Sequence, residues 1–544
     1  MLIFRKFDNA NTMRYNIVLG GLFLTMAATS CSKKFVTLYP EGQLNEGVFY
    51  KTNSDFQQAV TGAYVPLRNA ANIAFYLEEM RADNTFFDYN AKDRGGSGNE
   101  SVAEFLDDAT NSNTQALWEA NFQGIQRADI ILDKLAQGTP SDMSDSSKNQ
   151  IVGQAEALRA HYYFELVRLF GQVPLYLHEV TDAQNAVVNR SPVDSVYAQI
   201  IADFTDALSK LSLPAFPQPG TINKGMVATE LGLVYLTLKQ YDKATPLFQS
   251  VTTMGYSLLP DYASVFKTAN KNSVESIFEI QYSAGNNATP PNGTVGSNNQ
   301  SSQFVYDFIP NMASTLVVLG VDYNNTAGSW NVPTQNLVTA YESGDARLDA
   351  SIGVIKGHLN STTDFLPDSV VSILNNIDTS GQGLGYTTSS THRFIKKQYN
   401  YPYTGVTQEY NTGDDWYVYR YSDLLLMLAE SLNEQGQSGA ALPFLNQVRQ
   451  RAGLPPTMTT DQSMLRDTIA HERRVELAFE NHRWFDLVRT GQAIPVMTAY
   501  GTMQKQTYPF LLPNSYNVVQ TKLIYGIPSR DVMINPGLGQ NPGY

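Results

Sequence analysis

Apolar residues recur at helical spacing in several stretches of this chain and lose that spacing in one long central region. Between Ile151 and Phe170, the residues Ala155, Leu158, Tyr162, Leu166 and Leu169 fall on one face, the repeat of an amphipathic helix. Gly171 follows and Pro174 lies just beyond, which is how helices commonly stop. Ala116 to Leu135 reads as helix in the same way. Another helix is predicted from about Ser54 to Arg68, with Thr52 or Asn53 placed to cap its free N–H groups. Two further segments share one pattern: Ala228-x2-Leu231-Gly232-x2-Tyr235 with Ala244-x3-Phe248, and Leu428-Ala429-x2-Leu432 with Ala441-x3-Leu445. Those are the offsets of a tetratricopeptide helix pair. Gly232 and Ala244 are small where two helices approach, and Tyr235 and Phe248 would fill the space beside them. The copies lie far apart, which predicts a helical scaffold with long insertions, and these residues are expected to be core.

From about 280 to 412 the helical period fades and Gly, Asn, Ser, Thr, Pro and Tyr dominate. Asn286-Asn287, Pro290-Pro291-Asn292-Gly293 and Asn298-Asn299 read as turns. So long an irregular stretch in a compact domain is usually functional or partly disordered. At its end, alternation assigns to the core either Trp416, Val418 and Arg420 or Tyr417, Tyr419 and Tyr421.

The first 30 residues stand apart. Met13-Arg14-Tyr15-Asn16 leads into an apolar run, Ile17 to Ala28, then Thr29-Ser30-Cys31. This is the pattern of an export signal. Twelve residues make roughly 18 Å of helix, short of the about 30 Å of a bilayer core. Cys31 is the one cysteine in 544 residues, directly after a small-residue cleavage site, as in a bacterial lipobox. Lipidation of Cys31 is the expectation, and it leaves residues 31–544 without disulfides or thiolate metal sites. A net charge of −13 argues against nucleic acid and anionic lipid surfaces as partners.

Together these segments resemble the SusD/RagB-like outer-membrane lipoproteins. The motifs that carry the resemblance are Cys31-Ser32-Lys33-Lys34-Phe35, Arg81-Ala82-Asp83-Asn84, Ala155-Glu156-Ala157-Leu158-Arg159-Ala160 and Arg168-Leu169-Phe170-Gly171-Gln172-Val173-Pro174. Arg420-Tyr421-Ser422-Asp423-Leu424, Glu472-Arg473-Arg474-Val475-Glu476-Leu477 and the ending Gln540-Asn541-Pro542-Gly543-Tyr544 complete them. The resemblance implies a mostly α fold with four tetratricopeptide-like helix pairs and an irregular loop-rich part with a few short strands. It divides the chain into a signal at 1–30, an N-terminal region at 31–270 and a C-terminal region at 271–544. It further implies a lipid-anchored outer-membrane protein facing outward. Such a protein captures oligosaccharides for a SusC-like TonB-dependent transporter; peptide capture, as by the RagB type, is the alternative.

Sugar recognition needs flat aromatic faces for the apolar side of a pyranose and amide, carboxylate or guanidinium groups for its hydroxyls. Two loop segments offer that mixture. One holds Arg81, Asp83, Phe87 and Tyr89; the other holds Tyr323, Asn324, Trp330 and Asn331. No catalytic role is expected. The stretch from Glu472 to Arg489 is rich in charge, but its i,i+4 carboxylates with Arg473 and Arg483 nearby predict a structural salt-bridge helix. His471-Glu472-Arg473-Arg474-Val475 lacks the second His of a zinc helix. Trp118 and Trp484 lie on helical patterns and read as core. No cofactor is expected, with structural calcium at Asp414-Asp415 and Asp322 as the candidate ion.

Overall fold

The structure is a computed structural model and describes residues 49–87, 97–284, 301–302, 304–322, 328, 330–359, 365–375, 390–403 and 412–544. The export signal, Cys31, the turns between 286 and 299, Tyr89, Tyr323 and Asn324 lie outside the described residues.

The scaffold is a stack of helix hairpins. Helix α1 (Asn53–Leu77) packs along α2 (Ser112–Gln137), with the short strand β1 (Thr85–Phe86) between them in sequence. Next come α3 (Asp145–Phe170) against α4 (Val193–Lys210), and α5 (Lys224–Thr237) against α6 (Tyr241–Val251). The last pair, α7 (Tyr421–Glu434) and α8 (Ser438–Arg451), docks on α6 although about 170 residues intervene. Gln435 bridges the two by donating to Thr245 Oγ1 (2.7 Å) and the Tyr241 carbonyl (3.2 Å). Four tetratricopeptide-like pairs thus form one stack. A Cβ on Gly232 would lie 2.4 Å from the Phe248 ring, so glycine is what lets α5 and α6 close. Tyr235, expected inside, is half-exposed under Lys243 (5.3 Å).

The helix starts follow local chemistry. Thr52 and Asp55 form a reciprocal capping box, and Asn111 and Ser144 cap α2 and α3. Helix α1 continues past the predicted stop at Arg68 to Leu77 because Ala71, Phe75 and Leu77 are buried in the core. Helix α3 ends at Gly171 with φ +71°. Its predicted apolar face is buried, and so are Ala157, Ala160, Tyr163 and Phe164 on the other sides, so α3 is the central helix. Its inward-facing Arg159 is held by Asp129 and Asp203 (both 2.8 Å).

The described residues of the central region form more strand than their composition suggests. Strand β4 (Ile352–Leu359) lies between β5 (Phe365–Ser372) and β6 (Thr391–Ile395) in an antiparallel sheet. Separately, β2 (Ser276–Ile280) pairs with β7 (Trp416–Arg420), and β1 pairs with β3 (Val332–Pro333). Alternation does not sort β7 into an inner and an outer face: Trp416, Tyr417, Tyr419 and Arg420 are all buried, since the strand is covered on both sides. The C-terminal part adds α9 (Gln462–Glu476), α10 (Arg483–Arg489), α11 (Ala493–Thr507) and α12 (Ser529–Ile534). One core runs through both parts, from Phe56 to Leu538.

Glu472 to Arg489, expected as one helix, is two. The chain leaves α9 at Glu476, turns through Phe479 and Asn481 at φ +70° and +66°, and enters α10 at Arg483. Glu79 holds that turn by accepting from both of their N–H groups (3.1 and 3.0 Å). The ionic role is as expected but the partners are remote. Glu472 pairs with Arg347 and Arg449, Glu476 with Arg347, Arg420 and Arg451, and Glu480 with Lys397 and Arg420.

Candidate functional site

The two nominated loop segments meet. Strands β1 and β3 form an antiparallel ladder, Thr85 opposite Pro333 and Phe86 opposite Val332. Thr334 ties them further, donating its N–H to the Asn84 carbonyl (2.9 Å) and its hydroxyl to that of Asp83 (3.0 Å). Asn331 takes a left-handed backbone (φ +58°) and accepts from the Thr85 hydroxyl. That turn presents Trp330 over the end of α1. Its indole is half-buried and meets the Tyr76 ring edge-on, 5.4 Å between centroids at 60°. Its backbone N–H is anchored on the Asp307 carbonyl (3.2 Å).

Burial separates Trp330 from the other described candidates. Arg81 is fully buried: it pairs with Asp107 (2.6 Å), donates to the Lys522 carbonyl (2.8 Å), and lies 4.3 Å from the centroids of both Phe105 and Tyr525. Asp83 is 4% exposed and paired with Arg483 (2.8 Å) and Arg474 (3.0 Å). Burial opposes its ionisation, but the two guanidinium groups outweigh that and hold its carboxyl below the usual carboxylate range. Asn331 and Phe87 are 1% and 8% exposed. All four are enclosed by the core, and the expectation that they bond sugar directly is corrected to a supporting role. The packed core encloses their polar groups and their ring. Sequence reading also missed Tyr76, which backs the indole, because the predicted α1 stopped short of it.

The carboxylates weighed as calcium ligands are engaged. Asp414 accepts from Thr268 and Asn400 (both 2.8 Å), Asp415 pairs with Lys271 (2.7 Å) and accepts from the Tyr282 N–H (2.7 Å), and exposed Asp322 accepts from Ser314. Among the described residues no group of three or more His, Cys, Asp or Glu is placed to hold a metal ion.

Asp415 also faces Glu279, and both are buried. Glu279 Oε2 and Asp415 Oδ2 each lack a donor among the described residues, a need that one carboxyl proton shared between them would meet. Burial, with the Asp415 charge adding, pushes the Glu279 carboxyl from 4.5 up to about 8. A raised carboxyl gives stability that is full below its unfolded value and is lost as the pH climbs through its folded value. Stability is therefore expected to fall between pH 4.5 and about 8. Glu279→Gln keeps an acceptor for the Asn272 N–H (3.0 Å) and gives Asp415 a permanent donor. Urea melts across that range should show a flatter pH dependence for this variant; an unchanged slope refutes the shared proton.

The comparisons with known proteins are concordant. Residues 264–544 match the model of the SusD family, and residues 43–228 match a family described as starch-binding, associating with outer membrane. A SusD-like protein of Formosa agariphila is 25% identical over 96% of this chain and 98% of its own length. One from Bacteroides ovatus is 24% identical over 86% of this chain and 81% of its own. A solved laminarin-binding SusD-like protein superposes with a TM-score of 0.72 at 25% identity, over 91% of this chain and 100% of that one. Surface glycan-binding protein A from Bacteroides thetaiotaomicron, in complex with laminarihexaose, shares the fold at a TM-score of 0.70 and 20% identity, over 90% and 99% of the two chains. No helix among the described residues is long and apolar enough to cross a membrane. With four stacked helix pairs, relatives aligned along nearly its whole length and a family model spanning more than half of it, the protein belongs to the SusD family.

Proposed function

We propose that this protein is a non-catalytic glycan-binding lipoprotein that captures oligosaccharides outside the cell and passes them to a SusC-like TonB-dependent transporter. The observation that carries the reading is the half-buried indole of Trp330, presented on a turn held by β1, β3 and Tyr76. A pyranose ring stacks on such a face, and the loop neighbours Tyr323, Asn324 and Tyr89 complete the site in this reading. The laminarin-binding relative supports a sugar as the ligand. Cys31 carries the lipid that holds the protein at the outer membrane, facing outward, an association the matched family description also names.

The test is affinity electrophoresis of the purified protein through gels of laminarin, starch, xyloglucan and mannan, with reducing-sugar release measured in parallel. Retention without product is expected. An open surface site should bind at roughly micromolar to millimolar strength, about 4–8 kcal/mol. Trp330→Ala should lose most of it at an unchanged melting temperature, because one platform dominates such a site. Retention by no polysaccharide, or release of sugar, overturns the proposal. The anchor has its own check: Cys31→Ala should leave the membrane fraction, and retention there at the wild-type level refutes lipidation at this residue.

A further inference from the structure

A groove of about 870 Å³ runs over α1 and α2, walled by the segment after α3 and by α12. It shares no residue with the Trp330 turn. Its volume falls in the range of small-molecule sites, roughly 300–1,000 Å³. Aromatic rings line it: half-buried Phe122 lies 4.7 Å from Trp118 and 5.9 Å from Tyr176, ring to ring. Beside them stand three half-buried amides, Asn69, Gln123 and Gln126, with no hydrogen bond to any described residue. On the same helix, Gln115 donates to Glu119 (3.0 Å) and Asn121 to the Leu117 carbonyl (2.8 Å).

The lining selects among occupants. Its charges are balanced, Arg127 and Arg530 against Glu119 and Asp531, with Arg530 paired to Glu119 at 2.7 Å. An anion therefore has no excess of cations to meet. A purely apolar occupant would strip water from three amides and return no hydrogen bond, which is costly. A sugar ring matches both features, with C–H faces for the aromatic rings and hydroxyls that donate to and accept from amides. We propose that this groove is a second binding site for a neutral oligosaccharide. The proposal rests on the reading of the protein as a glycan binder. Two sites on one chain engage one polysaccharide at two points, so the second contact forms at a high effective concentration.

The same gels test it. The Asn69→Ala, Gln123→Ala, Gln126→Ala triple variant removes the amides without breaking a hydrogen bond to a described residue, so its melting temperature should hold. Its retention should weaken roughly tenfold, and combining it with Trp330→Ala should abolish the residual binding. Gly62 lines the groove with open space where a Cβ would stand, so Gly62→Leu should block it to a similar degree. If both groove variants run as wild type while wild type is retained, the second site falls and the glycan reading stands. If Gly62→Leu weakens binding and the triple variant does not, the occupant is apolar and the sugar assignment is overturned. If no polysaccharide retains the wild type, both readings fall together.

Discussion

Arg420→Met should destabilise this protein by about 3–5 kcal/mol, because it removes one partner from a buried ionic cluster and leaves the others uncompensated. Arg420 is 1% exposed. Its guanidinium donates to Glu480 through Nε (2.7 Å) and Nη2 (2.8 Å), and Nη1 serves Glu275 and Glu476 (3.0 Å each) and the Ser422 hydroxyl (2.6 Å). Methionine roughly fills the volume but supplies no donor. Glu480 then keeps only Lys397, and burial already pulls the Lys397 ammonium down to about 8. The loss should depend on pH. Glu476 and Glu480 would be driven up by burial, but Arg451, Arg420 and their neighbours hold both carboxyls below the ordinary range. Carboxyls held low contribute stability that is present above 4.5 and is lost as the pH falls through their folded values. The variant should therefore differ most from wild type at neutral pH and approach it in acid. Denaturant melts at pH 7 and pH 4 measure this; a loss below about 1 kcal/mol at pH 7 would mean the cluster is no stronger than a surface pair.

Trp484→Ala should cost a similar amount, about 3–5 kcal/mol, for a different reason. The indole is 1% exposed and meets Phe105 edge-on at 5.7 Å. It also lies 5.6 Å from the Arg81 guanidinium. Truncation leaves a cavity in the core and opens one side of the cage around that buried cation. Arg81 pairs with Asp107, which also accepts from the Tyr544 hydroxyl (2.7 Å), so the damage should reach the C-terminal segment. Unfolding curves give the stability loss, and gel retention per folded molecule should stay at the wild-type level. Lost retention at an unaltered melting temperature would instead make this indole part of the binding surface.

Local chemistry determined most of the helices and several of their starts and stops, while the core carried α1 past Arg68 and Glu79 set the break between α9 and α10. The capping box at Thr52, the glycine after Phe170 and the small residues at 232 and 244 act within a few residues or within one helix pair, so the linear sequence contains all of each device. The family was legible for the same reason, since its motifs are contiguous. The tertiary structure decided how distant segments are used. Alternation in β7 has no meaning once both faces are covered. Glu472, Glu476 and Glu480 take partners from β7, α8 and residues 347 and 397, which no i,i+4 rule reaches. Arg81 and Asp83 look like ligand groups in a loop, yet the core encloses them, because burial is a property of everything packed around a residue. In the same way, Trp118 reads as part of an ordinary helix face. Only the approach of α12 and the segment after α3 makes that face one side of a groove, a relation between elements that lie apart in the chain.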